Sequence, residues 1–251
     1  MKLMRSLLIM SLLITGLDLS ARQNSSPSIE KLTYSAYVKN ALPLWKKAIE
    51  EHKKSIGDNS TREEKLILVS TYYGYLSATM VTEDEEAFEA QLNPAKEYVK
   101  TLIEENKDWG EPKALLSSIM GLEMAYSPLK GTFLGMKSSS LMSEAMKENP
   151  DSPLVMKLYA GSKQYTPAMW GGDKKVAADY LEKAIEAFEQ NGETVDNWLY
   201  IDALANLGLV YSEIGKKDLA KATLQKALKV EPEFGWVKFS LLPQLAGNNH
   251  D

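Results

Sequence analysis

The chain predicts an all-α fold, a solenoid of about ten helices stacked in antiparallel pairs. Three observations carry this. Apolar residues recur at helical spacing along most of the 251 residues, and no long run alternates apolar with polar side chains as a strand would. Each first helix of a pair carries one glycine, Gly74, Gly121, Gly161 or Gly208, at separations of 47, 40 and 47 residues. Each second helix carries small or apolar residues seven apart: Ala95 and Leu102, Ser138 and Ala145, Ala177 and Ala184, Ala220 and Ala227. Residues 44% hydrophobic and 25% charged are ordinary for a globular chain.

The elements follow in order. Lys2 and Arg5 precede an apolar run from Leu7 to Leu17, which Asp18 ends. A bilayer span needs about 18 apolar residues, so the pattern reads as a secretory signal peptide over 1–21, cut after Ala21. Residues 22–28 (RQNSSPS) read as a flexible lead-in. With no cysteine there is no lipoprotein attachment point and no disulfide, so the expected product is exported, periplasmic or secreted, without a stable membrane anchor. Residues 29–251 are expected to form one domain. Helix 29–55 caps its front, with Ala41, Trp45 and Ala48 at second-helix spacing. Helices over 61–81, 84–107, 111–126, 137–148, 153–165, 173–190, 195–214 and 217–230 follow. Pro43 and Pro94 should kink or split their helices, and Asp173 and Asp196 stand where N-caps belong. A capping helix over 233–246, with Phe234, Trp236, Val237 and Phe239, closes the back.

Segment 201–234 is the most informative. Leu207-Gly208, Tyr211 three on, Gly215 in a turn, then Ala220, Leu224, Ala227 and Pro232 stand at fixed offsets. Gly208 and Ala220 remove bulk where two helices cross, and Pro232 is placed to start the next helix. This segment closely resembles a tetratricopeptide repeat. The resemblance implies a right-handed superhelix whose first helices line a concave face. On that face Tyr72 and Tyr75 are candidate contacts for a peptide or protein partner. The upstream spacing exceeds the usual repeat of about 34, so insertions are expected.

Two insertions look alike: Tyr126-Ser-Pro-Leu-Lys-Gly-Thr-Phe-Leu-Gly-Met-Lys137 and Tyr165-Thr-Pro-Ala-Met-Trp-Gly-Gly-Asp-Lys174. Each joins a first helix to its second, so both should lie on the same edge. Their apolar content has two readings. They fold back and seal the helix ends, which is the favoured one. Or they flank a binding surface, with Tyr126, Pro128, Phe133, Tyr165, Pro167, Met169, Trp170, Gly171, Gly172 and Lys174 as candidate contacts. Gly171-Gly172 ahead of a helix could face an anion, but Asp173 competes for the same N–H donors. Together with the repeats, the second insertion resembles exported tetratricopeptide-type proteins of Bacteroidota, and more distantly the helical T component of tripartite transporters. Those resemblances imply a helical solenoid and little about activity.

Catalysis finds little support. The two histidines, His52 and His250, stand at opposite ends of the chain, which argues against a histidine metal centre. The stretch from Gly131 to Ser138 approaches a phosphate loop, but Met136 replaces the second glycine and no strand precedes it. A net charge of −5 argues against a nucleic-acid partner. The expectation is a non-catalytic, cofactor-free binding or scaffold module of the cell envelope with a protein or peptide partner. The alternative is a periplasmic carrier or transporter accessory holding a small apolar ligand near the two insertions.

Overall fold

The computed structural model describes residues 28–247. The segment expected to be a signal peptide, 1–21, and nearly all of the expected lead-in fall outside the described residues. Among the described residues, eleven α-helices run in order: α1 Ile29–Val38, α2 Leu42–Ser55, α3 Arg62–Thr82, α4 Glu85–Glu105, α5 Gly110–Tyr126, α6 Gly131–Glu148, α7 Pro153–Tyr165, α8 Lys174–Gln190, α9 Trp198–Glu213, α10 Lys217–Val230 and α11 Leu242–Gly247. They pair as α1/α2 through α9/α10, and each pair packs on the next.

The seven-residue spacing marks the packed face of every second helix. Ala95, Ala145, Ala177, Ala184, Ala220 and Ala227 are fully buried. At the α9–α10 crossing, a Cβ on Gly208 would lie 2.4 Å from the Leu224 side chain, so any larger residue there would have to displace Leu224 from the crossing. Gly121 and Gly161 have open space instead, so the glycine period is not a packing rule throughout.

The front segment splits just before Pro43, as expected, into a complete helix pair: the chain turns at Asn40, in the left-handed region (φ 46°), and Pro43 sits in the first turn of α2 where its missing N–H costs nothing. Three expectations are corrected. Pro94 does not split α4. It stands on an exposed face with Ala90, whose carbonyl loses its helical partner and meets water instead. Asn197, not Asp196, caps α9, accepting from Leu199 and Tyr200 N–H, while Asp196 turns the chain at φ 51°. Pro232 lies in a turn closed by Phe234 N–H to Glu231 O at 3.2 Å rather than starting a helix. The helical run after that turn passes through a π segment, Val237–Leu241, before α11.

Candidate functional site

The first helices of a solenoid turn one stripe toward its axis, and here the first of them fills that space. Helix α1 packs against α3 and α9 as well as its own partner α2. Tyr37 of α1 reaches the start of α9, with its ring 5.6 Å from Trp198 and 5.4 Å from Phe234. Trp198 in turn meets Trp45 edge-on at 5.2 Å and Tyr73 at 6.2 Å.

A buried polar group sits under these rings. Lys157 of α7 pairs with Asp202 of α9 at 2.5 Å and lies over the Tyr73 ring at 5.3 Å. Tyr37 donates its hydroxyl to the other Asp202 oxygen at 2.5 Å, and Asn206 donates to the same oxygen at 2.9 Å. Burial alone would lower the Lys157 pKa, but Asp202 and Tyr73 outweigh it and hold the ammonium above its ordinary value. Burial, then Asp202, pushes the Tyr37 phenol well above its usual range. Both Asp202 oxygens are engaged inside the protein, so this cluster fastens α1, α7 and α9 together. Sequence reasoning missed it. The signal was there: Lys157 and Asp202 are lone charges inside apolar helical stretches, LVMKLYA and YIDALANL.

Tyr72 and Tyr75, expected on the concave face, are core residues only 2% and 6% exposed. Tyr73 between them is the residue that turns toward the axis.

The two insertions take a different course from the expected pair of loops. After Tyr126, a short 3-10 turn over Pro128–Lys130 runs directly into α6, which begins six residues earlier than expected. Tyr126 is half-buried, with its hydroxyl donating to Thr79 O at 2.8 Å and its ring 4.2 Å from Phe88. The second insertion is a true loop, with a 3-10 turn over Ala168–Trp170 capped by Gly171 at φ 91°. A Cβ on Gly172 would stand 1.7 Å from Thr166 O. Asp173 N–H donates to Lys163 O at 2.8 Å, and Lys163 Nζ donates to Gly171 O at 3.0 Å. The Asp173 carboxylate accepts from Lys175 and Val176 N–H, as its position predicts, so an anion finds those donors taken. Lys174 pairs with Glu213 at 3.3 Å. Tyr165 sends its hydroxyl to Asn206 at 3.0 Å while most of its ring faces solvent.

The sealing role expected of these segments is not what their apolar side chains do. Phe133 is 83% exposed, Met169 82% and Trp170 75%, and Leu129 and Met136, neither of them among the candidate contacts read from the sequence, stand at 88% and 81%. Consecutive helices alternate in direction, so the ends of α5 and α7 lie at one edge, and these five side chains share it. On α6, Phe133 and Met136 point away from the scaffold while Leu134 between them packs on it, ahead of the stretch where Met142 and Ala145 are buried. Among the described residues no group of three or more His, Asp or Glu could hold a metal ion, and no helix is long and apolar enough to cross a membrane.

The family model of the tetratricopeptide repeat matches residues 201–234, the α9–α10 pair and its closing turn. No curated protein sequence matches the chain. Among solved structures, a thermophilic tetratricopeptide protein of Thermus thermophilus is similar at TM-score 0.50 and 18% identity, over 87% of this chain and 96% of that one. The HusA haemophore of Porphyromonas gingivalis is similar at TM-score 0.57 and 17% identity, over 76% of this chain and 96% of that one. At such identities the likeness concerns the fold, a tetratricopeptide-like helical solenoid.

Proposed function

We propose that the chain is an exported, non-catalytic binding module of the cell envelope. Residues 1–21 direct export, residues 29–251 form one domain, and the edge bearing Phe133 and Trp170 docks a protein or peptide partner. A tetratricopeptide-type fold points to protein–protein interaction in general. One observation carries the choice of surface: five large apolar side chains are at least three-quarters exposed on a single edge, while α1 occupies the concave face. Monomeric proteins rarely leave such a patch uncovered. Tyr126, Pro128, Pro167, Gly171, Gly172 and Lys174 set the shape of this edge, and Tyr165 adds an aromatic face to it.

The test is affinity capture from envelope extract with the mature chain and with Trp170→Ala and Phe133→Ala. Both variants should keep the parent's thermal midpoint and lose the captured partner at least tenfold, since a central aromatic anchor is worth about 2 kcal/mol or more. Retention of every partner by both variants ends the reading. N-terminal sequencing of the exported product, expected to begin at Arg22, tests the export step separately.

A second reading rests on Met136 and Met169, thioethers exposed on the same edge as the flat rings of Phe133 and Trp170. That chemistry suits an iron porphyrin, with methionine sulfur on the iron and rings against the macrocycle. The haemophore among the structural neighbours supports it at the level of fold. Haemin titration should then shift the Soret band, and Met136→Leu or Met169→Leu should weaken the shift. An unshifted spectrum rules this reading out.

A further inference from the structure

The edge opposite the insertions, where second helices hand over to first helices, holds an open-mouthed cavity of about 390 Å³. Its walls are apolar: Leu66 from the start of α3, Leu154 from α7 and Leu199 from α9. Its polar lining is one-signed. Glu111, Asp151 and Glu193 face the space, and no lysine, arginine or histidine lines it. Arg62, a cation close in the chain to this wall, is paired with Glu63 at 2.8 Å and stacked on Trp109.

The helix N-termini around the cavity favour an anion in principle, but their donors are spent. Ser152 accepts from Val155 N–H, and Asn197 accepts from Leu199 and Tyr200 N–H. The Glu111 carboxylate is fixed by Trp109 Nε1 at 2.6 Å and the Ser152 hydroxyl at 2.6 Å, and each oxygen keeps a free lone pair. Asp151 is exposed at the mouth with no partner among the described residues. Ser70 is the second, independent sign. It is only 7% exposed, lines the cavity, and its hydroxyl has no hydrogen bond among the described residues. Helical serines commonly satisfy that hydroxyl on a carbonyl one turn back, as Ser77 and Ser118 do here. The Ser70 oxygen itself is not sealed from solvent, so the unbonded hydroxyl opens into the space that the residue lines.

We propose that this cavity binds a primary ammonium group carried on an aliphatic stem. The stem lies against Leu66, Leu154 and Leu199, Asp151 and Glu111 neutralise the charge, and Ser70 accepts an N–H at the inner wall. A free diamine or polyamine and the lysine side chain of a partner peptide share this chemistry.

Calorimetric titration of the mature chain at low salt with 1,5-diaminopentane, spermidine and Nα-acetyl-lysine methylamide tests the proposal, with 1,5-pentanediol as the uncharged control. Saturable binding of an amine, with at least tenfold weaker response to the diol, is expected. Preference for the diamine and spermidine assigns a free amine, and comparable binding of the lysine derivative assigns a side chain. Asp151→Asn should weaken binding about tenfold, the value of one charge-assisted hydrogen bond. Ser70→Leu, which fills the inner wall, should abolish it. Should Ser70→Leu fail to fold, Glu193→Gln on the exposed rim serves in its place, with a smaller loss. Trp170→Ala should bind amines like the parent, so failure here is separable from failure of the edge reading. No saturable binding of any amine, equal binding of the diol, or parental affinity in the Asp151→Asn and Ser70→Leu variants each overturns the proposal.

Discussion

Residues 127–137 and 166–174 share a pattern of Ser/Thr-Pro after tyrosine, then an aromatic, a glycine and a lysine, yet the first continues as helix and the second closes as a loop. The glycines separate them. Gly131 takes an ordinary helical φ of −56°, and neither it nor Gly135 has an atom within 4 Å of a would-be Cβ. Helix formation there costs about 1 kcal/mol per glycine and meets no other obstacle. Gly171 is left-handed, Gly172 is pressed on a carbonyl, and Asp173 restarts the helix as a cap. Similar residue types thus leave the backbone undecided, and two adjacent glycines before a capping carboxylate decide it. Both routes deliver the same result at the surface, an exposed aromatic beside an exposed methionine.

Substitutions at the glycines should separate the two segments most. Gly172→Ala should cost about 3 kcal/mol or more, because the 1.7 Å contact forces the loop open. Gly131→Ala should instead stabilise by about 0.5–1 kcal/mol. Urea unfolding measures both, and a Gly172→Ala protein as stable as the parent would falsify the contrast. Next in size is Asp173→Ala, which removes the cap of α8 and should cost about 1 kcal/mol. The start of α6 has no side-chain cap to lose.

The two tyrosines sharpen the difference further. Tyr126→Phe gives up the bond to Thr79 O in a half-buried site and should cost about 1 kcal/mol. Tyr165→Phe should cost less under neutral conditions, since its ring is mostly exposed. Its effect shows in alkali. Burial of the hydroxyl end, then Asp202, raises the Tyr165 phenol above its ordinary value of 10.0. A folded-state pKa above the unfolded one gives stability that is intact below about pH 10 and lost as pH rises beyond it. The thermal midpoint of Tyr165→Phe should therefore fall less steeply than the parent's above about pH 10. Smallest of all, Phe133→Ser and Trp170→Ser should each change stability by no more than about 0.5 kcal/mol. A larger loss in either would show that its side chain packs on the scaffold.

The pairing of helices was legible because small residues at seven-residue spacing follow directly from helical geometry, and the α9–α10 repeat was legible down to Gly208. The first insertion was misread because glycines in GTFLGMK look like loop, although Leu134 within it and Leu141 beyond it pack on the core. Tyr72 and Tyr75 were misplaced for a related reason: on an α3 helix that is apolar nearly all round, periodicity does not say which tyrosine faces the axis. The position of α1 was beyond reach, because it depends on how tightly five pairs curve, which is set by contacts spread over the whole array.

That curvature changes how the molecule should come apart. In an open row of repeats each unit feels only its neighbours, and the ends fray first. The bond from Tyr37 to Asp202 spans 165 residues and clasps the first pair to the last. Loss of either end then strips support from the other, so unfolding should be a single cooperative event. The same clasp makes folding non-local and slow to finish, since α1 must wait for α9, far along the chain, before it can settle.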